Sequence, residues 1–195
     1  MKIRRILENS SSNKELPIYN KDIMSFDSWL TIKNSGKFNP NSIHCNFYTK
    51  NENLKTLEGS PESVLGIFTC THNLLENLIG GPKWVNDTLD YDYNRLTSLE
   101  GGPEFAGGNV FLTNNKLESL ANIHKHFKTI NKMLYISFNP IKSNILGILL
   151  IKSLSGLYID GAPFNILRKH LKGDKDVLEC QEEMISAGYK EFARL

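Results

Sequence analysis

The sequence predicts an α/β solenoid: short coils stacked so that about five to six short strands form one parallel β-sheet, with helices at both ends. Three observations predict it. First, residue types recur with a step of 21, in columns such as Leu54, Leu75, Leu96, Leu117 and Leu57, Leu78, Leu99, Leu120. Second, each unit holds two apolar residues two positions apart: Phe68 and Cys70, Leu89 and Tyr91, Val110 and Leu112. That spacing turns both side chains to one side of an extended strand. Third, a Gly-x-Pro step ending in Pro61, Pro82 and Pro103 punctuates the units. Glycine permits positive φ there, and proline fixes φ on the return side.

Three segments follow in order. Residues 1–39 form an N-terminal helical cap. Phe26, Trp29 and Leu30 share one face of a helix that Ser25 can N-cap. Met1 to Glu8 reads as a further helical turn or a strand, and Ser10 to Asn13 as a loop. Residues 40–161 form the solenoid. Its unit reads Asn-x-Leu-x-x-Leu-x-Gly-x-Pro-x-x-Val-x-x-x-Phe-x-Cys-x-x-Asn. The asparagines Asn73, Asn94 and Asn115 follow each strand, where a buried amide can bond backbone groups exposed by the turn, and with both donor and acceptor a stacked column can satisfy itself. A weaker copy precedes (Pro40, Ile43, Phe47, Thr49), with Glu52 where asparagine is expected. The copy that follows (Ile130, Leu134, Ile136, Asn139, Ile141) needs 24 residues, the extra three falling between Asn122 and Thr129. A last strand, Gly156 to Asp160, closes the array. Residues 162–195 form a C-terminal helical cap. Phe164, Leu167 and Leu171 mark one helix. Val177, Leu178, Gln181, Met184 and Ile185 mark a second, stopped by Gly188. Tyr189, Phe192 and Leu195 give a final apolar turn.

Composition narrows the function classes. The chain has 195 residues and net charge +2, which argues against a bulk electrostatic nucleic-acid binder. It has 21 asparagines, about twice an average share. No apolar run approaches the roughly 18 residues of a membrane helix, and the N-terminus lacks an apolar core for a secretory signal. Three scattered cysteines suit a reducing compartment, so a cytoplasmic location is expected. Charge is uneven. Residues 1–52 have 8 basic and 5 acidic groups, residues 53–122 have 4 and 9, and residues 123–195 have 11 and 7. The repeats are acidic between two basic ends.

Catalytic patterns are weak. Gly101-Gly102 and Gly107-Gly108 sit at repeat turns with no Lys-Ser/Thr after them, so they form no phosphate loop. Cys70-x-His72 suggests zinc, but Cys70 fills a core column. His124 and His126 lack two further ligands. No catalytic residue, metal or cofactor is expected. What remains is the outward face of the sheet. Its rows are Asn46, Ile67, Thr88, Asn109, Met133; then Tyr48, Thr69, Asp90, Phe111, Tyr135; then Lys50, Thr71, Asp92, Thr113, Ser137. Ile67, Phe111, Met133 and Tyr135 are expected as exposed apolar groups, the kind of anchor a protein-binding patch uses. Asp90 and Asp92 add an acidic centre that favours a basic protein surface. The expected partner-binding set is Tyr48, Ile67, Thr69, Asp90, Asp92, Phe111, Thr113, Met133 and Tyr135.

The Leu-x-x-Leu steps followed by Leu-x-Leu-x-x-Asn-x-Leu resemble the leucine-rich repeat. Residues 94–103 (NRLTSLEGGP) are most similar to the short repeats of leucine-rich-repeat proteins of large tailed bacteriophages. The resemblance covers residues 40 to 160. It is specific for the fold, and the repeat itself serves many partners. Together with the outward face, the resemblance gives the expectation of a non-enzymatic module that binds and occludes a host protein, a defence or regulatory factor, in the cytoplasm of an infected bacterium. Charge and apolar run length argue against a nucleic-acid or membrane partner, and a monomer or weak homo-oligomer is expected. The alternatives are a virion or assembly component, and a small-ligand binder or metal-dependent hydrolase using His124, His126 and His170.

Overall fold

The computed structural model describes residues 23–34, 42–43, 45–172 and 175–195. The chain is a parallel β-solenoid of about five turns, and most coils contribute two strands. The first sheet has seven strands: β1 (Ile23–Met24), β3 (Asn46–Tyr48), β5 (Phe68–Thr69), β7 (Leu89–Asp90), β9 (Val110–Phe111), β11 (Met133–Tyr135) and β12 (Gly156–Tyr158). The second sheet has five: β2 (Ser42–Ile43), β4 (Ser63–Val64), β6 (Trp84–Val85), β8 (Phe105–Ala106) and β10 (Thr129–Ile130). Every pairing is parallel.

The 21-residue step sets the register. Phe68 pairs with Leu89 and Leu89 with Val110, so the inward columns stack directly. Backbone bonds tie each coil to the next, as in Phe68 N–H to Thr88 O (2.9 Å) and Cys70 N–H to Asp90 O (2.8 Å). The apolar columns are buried in one continuous core that extends to the terminal helices, with Leu54 at the start of its column only partly covered. Phe47 and Phe68 stack inside it with ring centroids 5.1 Å apart.

The asparagine column turns its amides inward and bonds the backbone groups of the turns, as expected. Asn94 accepts from Leu75 N–H (3.2 Å) and donates to Cys70 O (2.8 Å) and Tyr91 O (3.1 Å). Asn115 accepts from Leu96 N–H and donates to Tyr91 O and Leu112 O. Asn139 repeats the pattern on Leu117, Leu112 and Ile136. Each amide therefore joins neighbouring coils, satisfying buried backbone groups that a turn leaves open. The Gly-x-Pro turn forms as its residues require: Gly59, Gly80 and Gly101 have φ of +93°, +83° and +84°.

Three features depart from the sequence expectation. The coils carry a second sheet where one was expected. Its strands are only two residues long and alternate small, polar and aromatic residues outward, which leaves no periodic apolar signal. The first sheet has seven strands rather than five or six, because Ile23–Met24 pairs with β3 ahead of the first recognisable repeat. The three extra residues of the long unit form a short helix, α2 (Ile123–His126), in place of the Gly-x-Pro turn.

Helix α1 (Phe26–Asn34) follows β1. Ser25 Oγ accepts from Ser28 N–H at 3.2 Å, as an N-cap does. Phe26 and Trp29 are buried, and Trp29 Nε1 donates to Gly59 O at 2.7 Å. Beyond β11, a 3-10 turn (Leu146–Leu150) leads to β12 and helices α3 (Ala162–Leu171) and α4 (Val177–Ser186). Both helices pack on the 3-10 turn, and α3 also meets β12. The α4 stripe differs from expectation: Cys180 and Met184 are buried and Val177 and Gln181 half-buried, while Leu178 and Ile185 face solvent. Tyr189 and Phe192 pack on the core, but Leu195 is exposed. Met1 to Glu8, the Ser10 to Asn13 loop and Pro40 lie outside the described residues.

Candidate functional site

The solvent side of the seven-stranded sheet is built by the residues that alternate with the core columns. Register places Tyr48, Thr69, Asp90, Phe111, Tyr135 and Tyr158 side by side across six strands. Sequence reasoning missed Tyr158, although its strand was foreseen; the row needed only one further step. Phe111 and Tyr135 stack with centroids 4.5 Å apart, and Tyr135 meets Tyr158 at 5.5 Å. Three rings thus run unbroken to the end of the sheet.

Tyr48, Ile67, Thr69, Asp90, Asp92, Phe111, Thr113, Met133 and Tyr135 all lie on this side, and all are half-buried. The exposed apolar anchors expected at Ile67, Phe111, Met133 and Tyr135 are therefore partly covered, since neighbouring rows and stacked rings shield them. Tyr158 is the open member, 58% exposed. In the third row, Thr71 and Ser137 are buried and Lys50 is exposed. Ser137 Oγ donates to Tyr158 O at 3.3 Å.

Asp90 and Asp92 sit two residues apart. Asp90 Oδ1 accepts from Asp92 N–H at 3.0 Å, and Asp92 Oδ1 accepts from Thr113 N–H. Burial pushes the Asp92 carboxyl up to about 6, and the Asp90 charge adds to the shift. Burial raises Asp90 as well, opposed by its bond from Asp92 N–H and by His72 and Lys50. Among the described residues, neither carboxylate forms an ion pair.

A second aromatic row borders the first. Asn51, His72, Tyr93, Asn114 and Phe138 occupy the same position after their strands, with φ between +55° and +59°. Asparagine tolerates that left-handed conformation, whereas bulky residues rarely adopt it. Yet His72 and Tyr93 stack with centroids 4.4 Å apart, and Phe138 is 78% exposed. No periodic cue marked this row, because its residue type changes from coil to coil. On the other sheet, Trp84 and Phe105 stack at 3.9 Å, with Trp84 exposed.

The remaining chemical candidates disperse. Cys45, Cys70 and Cys180 are free and buried, and burial pushes the Cys70 thiol up to about 12. His170 is buried in α3 against Glu183 (2.8 Å), joining α3 to α4. His124 packs against Gly147, and burial lowers its pKa. Among the described residues, no group of three or more His, Cys, Asp or Glu side chains could hold a metal ion. None of the described helices is long and apolar enough to cross a membrane.

No protein-family model, no curated protein and no solved structure matches this chain. The fold that stands without them is a parallel solenoid of 21-residue coils.

Proposed function

We propose that the chain is a leucine-rich-repeat binding module, non-enzymatic, that engages another protein through the solvent side of its seven-stranded sheet. The observation that supports this most is the aromatic row Phe111, Tyr135, Tyr158, whose rings adjoin across three strands, the first pair stacked and the second tilted, and which is open at its end. Clustered aromatic side chains with a polar surround give large contact area at little conformational-entropy cost. The sequence resemblance to phage repeat proteins extends the reading: the partner is a host defence or regulatory protein, occluded in the infected bacterial cytoplasm. The terminal helices then act as caps that shield the open ends of the core, as solenoids require.

Affinity capture from bacterial lysate tests the reading, with the wild type run beside a Phe111→Ala/Tyr135→Ala variant. The expected result is a stoichiometric protein held by the wild type and lost with the variant. Equal capture by both, at equal melting temperature, removes this face as the binding site.

A further inference from the structure

The candidate face holds two carboxylates whose charge its own cations relieve only in part, His72 and Lys50 acting on Asp90 without an ion pair. Asp90 and Asp92 lie two residues apart on one side of the sheet, both half-buried, and no described cation pairs with either. Asp90 accepts from Asp92 N–H, and Asp92 accepts from both the backbone N–H and the hydroxyl of Thr113, which still leaves acceptor capacity on each carboxylate. Two partly desolvated like charges this close disfavour the free protein. A cation arriving from outside relieves that repulsion, so charge complementarity identifies the occupant.

The surroundings narrow the cation. Asp90 is the direct register neighbour of Phe111, the first ring of the Phe111–Tyr135–Tyr158 row. Adjacent strands are about 4.8 Å apart, so a planar group can meet the carboxylate with its edge and a ring with its face. On the other border stand the stacked rings of His72 and Tyr93. Guanidinium is planar, forks onto carboxylates and stacks on aromatic faces, whereas ammonium is a strongly hydrated point charge. Spacing adds a further match. Side chains at alternate positions of an extended segment are about 7 Å apart, and Asp90 and Asp92 are likewise alternate residues, one at the end of β7 and one just past it.

We propose that this face receives an extended partner segment bearing arginine at alternate positions, its guanidinium groups paired with Asp90 and Asp92 and stacked on Phe111. This rests on the binding-face reading above and specifies its partner chemistry.

The test pans a random heptapeptide library against the full chain, then against Asp90→Asn/Asp92→Asn and Phe111→Ala/Tyr135→Ala. The asparagine pair keeps the oxygens that accept from Asp92 N–H and Thr113 N–H, so the fold is retained. Thr69→Lys is a second variant: it places a cation beside Asp90 in register without touching the core. The expected result is an arginine-enriched pool whose affinity falls at least tenfold with all three variants. An arginine-rich pool indifferent to the asparagine pair and to Thr69→Lys overturns the proposal. So does a pool without basic residues that is lost only with Phe111→Ala/Tyr135→Ala, but that result leaves the binding-face reading standing. A library that yields nothing sensitive to any variant overturns both.

Discussion

Tyr91 fills the inward column that Cys70 and Leu112 occupy in adjacent coils, and its hydroxyl is buried with no hydrogen-bond partner among the described residues. A buried, unpaired hydroxyl costs roughly 1–3 kcal/mol of desolvation. Tyr91→Phe is therefore expected to leave stability unchanged or raise it by about 1 kcal/mol in denaturant unfolding; a loss would reveal a partner for the oxygen. Asn94 is the opposite case. Its amide satisfies one backbone N–H and two carbonyls in the core, so Asn94→Ala should cost about 2–4 kcal/mol by the same measurement. Asp92 predicts a pH dependence. Its carboxyl titrates near 6 in the folded chain, above the unfolded value, so the folded state holds the extra proton. Its contribution is fully favourable below about pH 4 and is lost as pH rises through about 6. Lys50 and His72 act on Asp90, whose charge is a secondary cause of the Asp92 shift after burial. The melting temperature of wild type relative to Asp92→Asn should thus fall between pH 4 and pH 7; a flat difference would place the Asp92 titration elsewhere.

At the scale of elements, the turn and the strand differ in how they were legible. The inward columns and the Gly-x-Pro step were readable because every coil repeats the same steric demand. Gly101 shows the demand: a Cβ there would lie 2.4 Å from Ile79 N and Cα of the preceding coil, with φ at +84°. Gly188 has a similar φ of +88°, but a Cβ there meets nothing within 4 Å. Gly188→Ala should cost about 1 kcal/mol for the left-handed backbone alone. Gly101→Ala should cost at least about 2 kcal/mol, since the backbone of two coils must also separate. Equal losses in thermal melts would contradict the stacked turn. The second sheet was not legible, because Ser63, Trp84, Phe105 and Thr129 share its outward row without sharing a residue type. The aromatic row of His72, Tyr93 and Phe138 escaped for the same reason. Its common property is a backbone angle, not a side chain. On the candidate face, alternation alone put the nine named residues on the solvent side of the sheet. Their depth was not readable, since shielding comes from rings in neighbouring coils.

For the molecule as a whole, each coil touches chiefly the coils beside it, so cohesion is a chain of neighbour contacts rather than one central knot. The three cysteines sample that chain at different heights. Cys45 and Cys70 lie in the early coils, and Cys180 lies in α4 beyond the last strand. All three should resist thiol reagents in the native state, because the thiols are buried. In mild denaturant, Cys180 is expected to react before Cys70, as α3 and α4 detach from one end while the coils persist. Simultaneous labelling of all three would show a single cooperative unit instead.

The stacked register also bears on how such a chain can change over generations. Gene segments that encode one whole 21-residue coil are interchangeable in reading frame and in space. A duplication of residues 84–104 would add one rung, and every inward residue would still land above its counterpart. A duplication one codon shorter would send that rung's leucines to the outside. Slippage between similar stretches of the gene can therefore lengthen or shorten the solvent face of the sheet in whole steps, without redesigning the core.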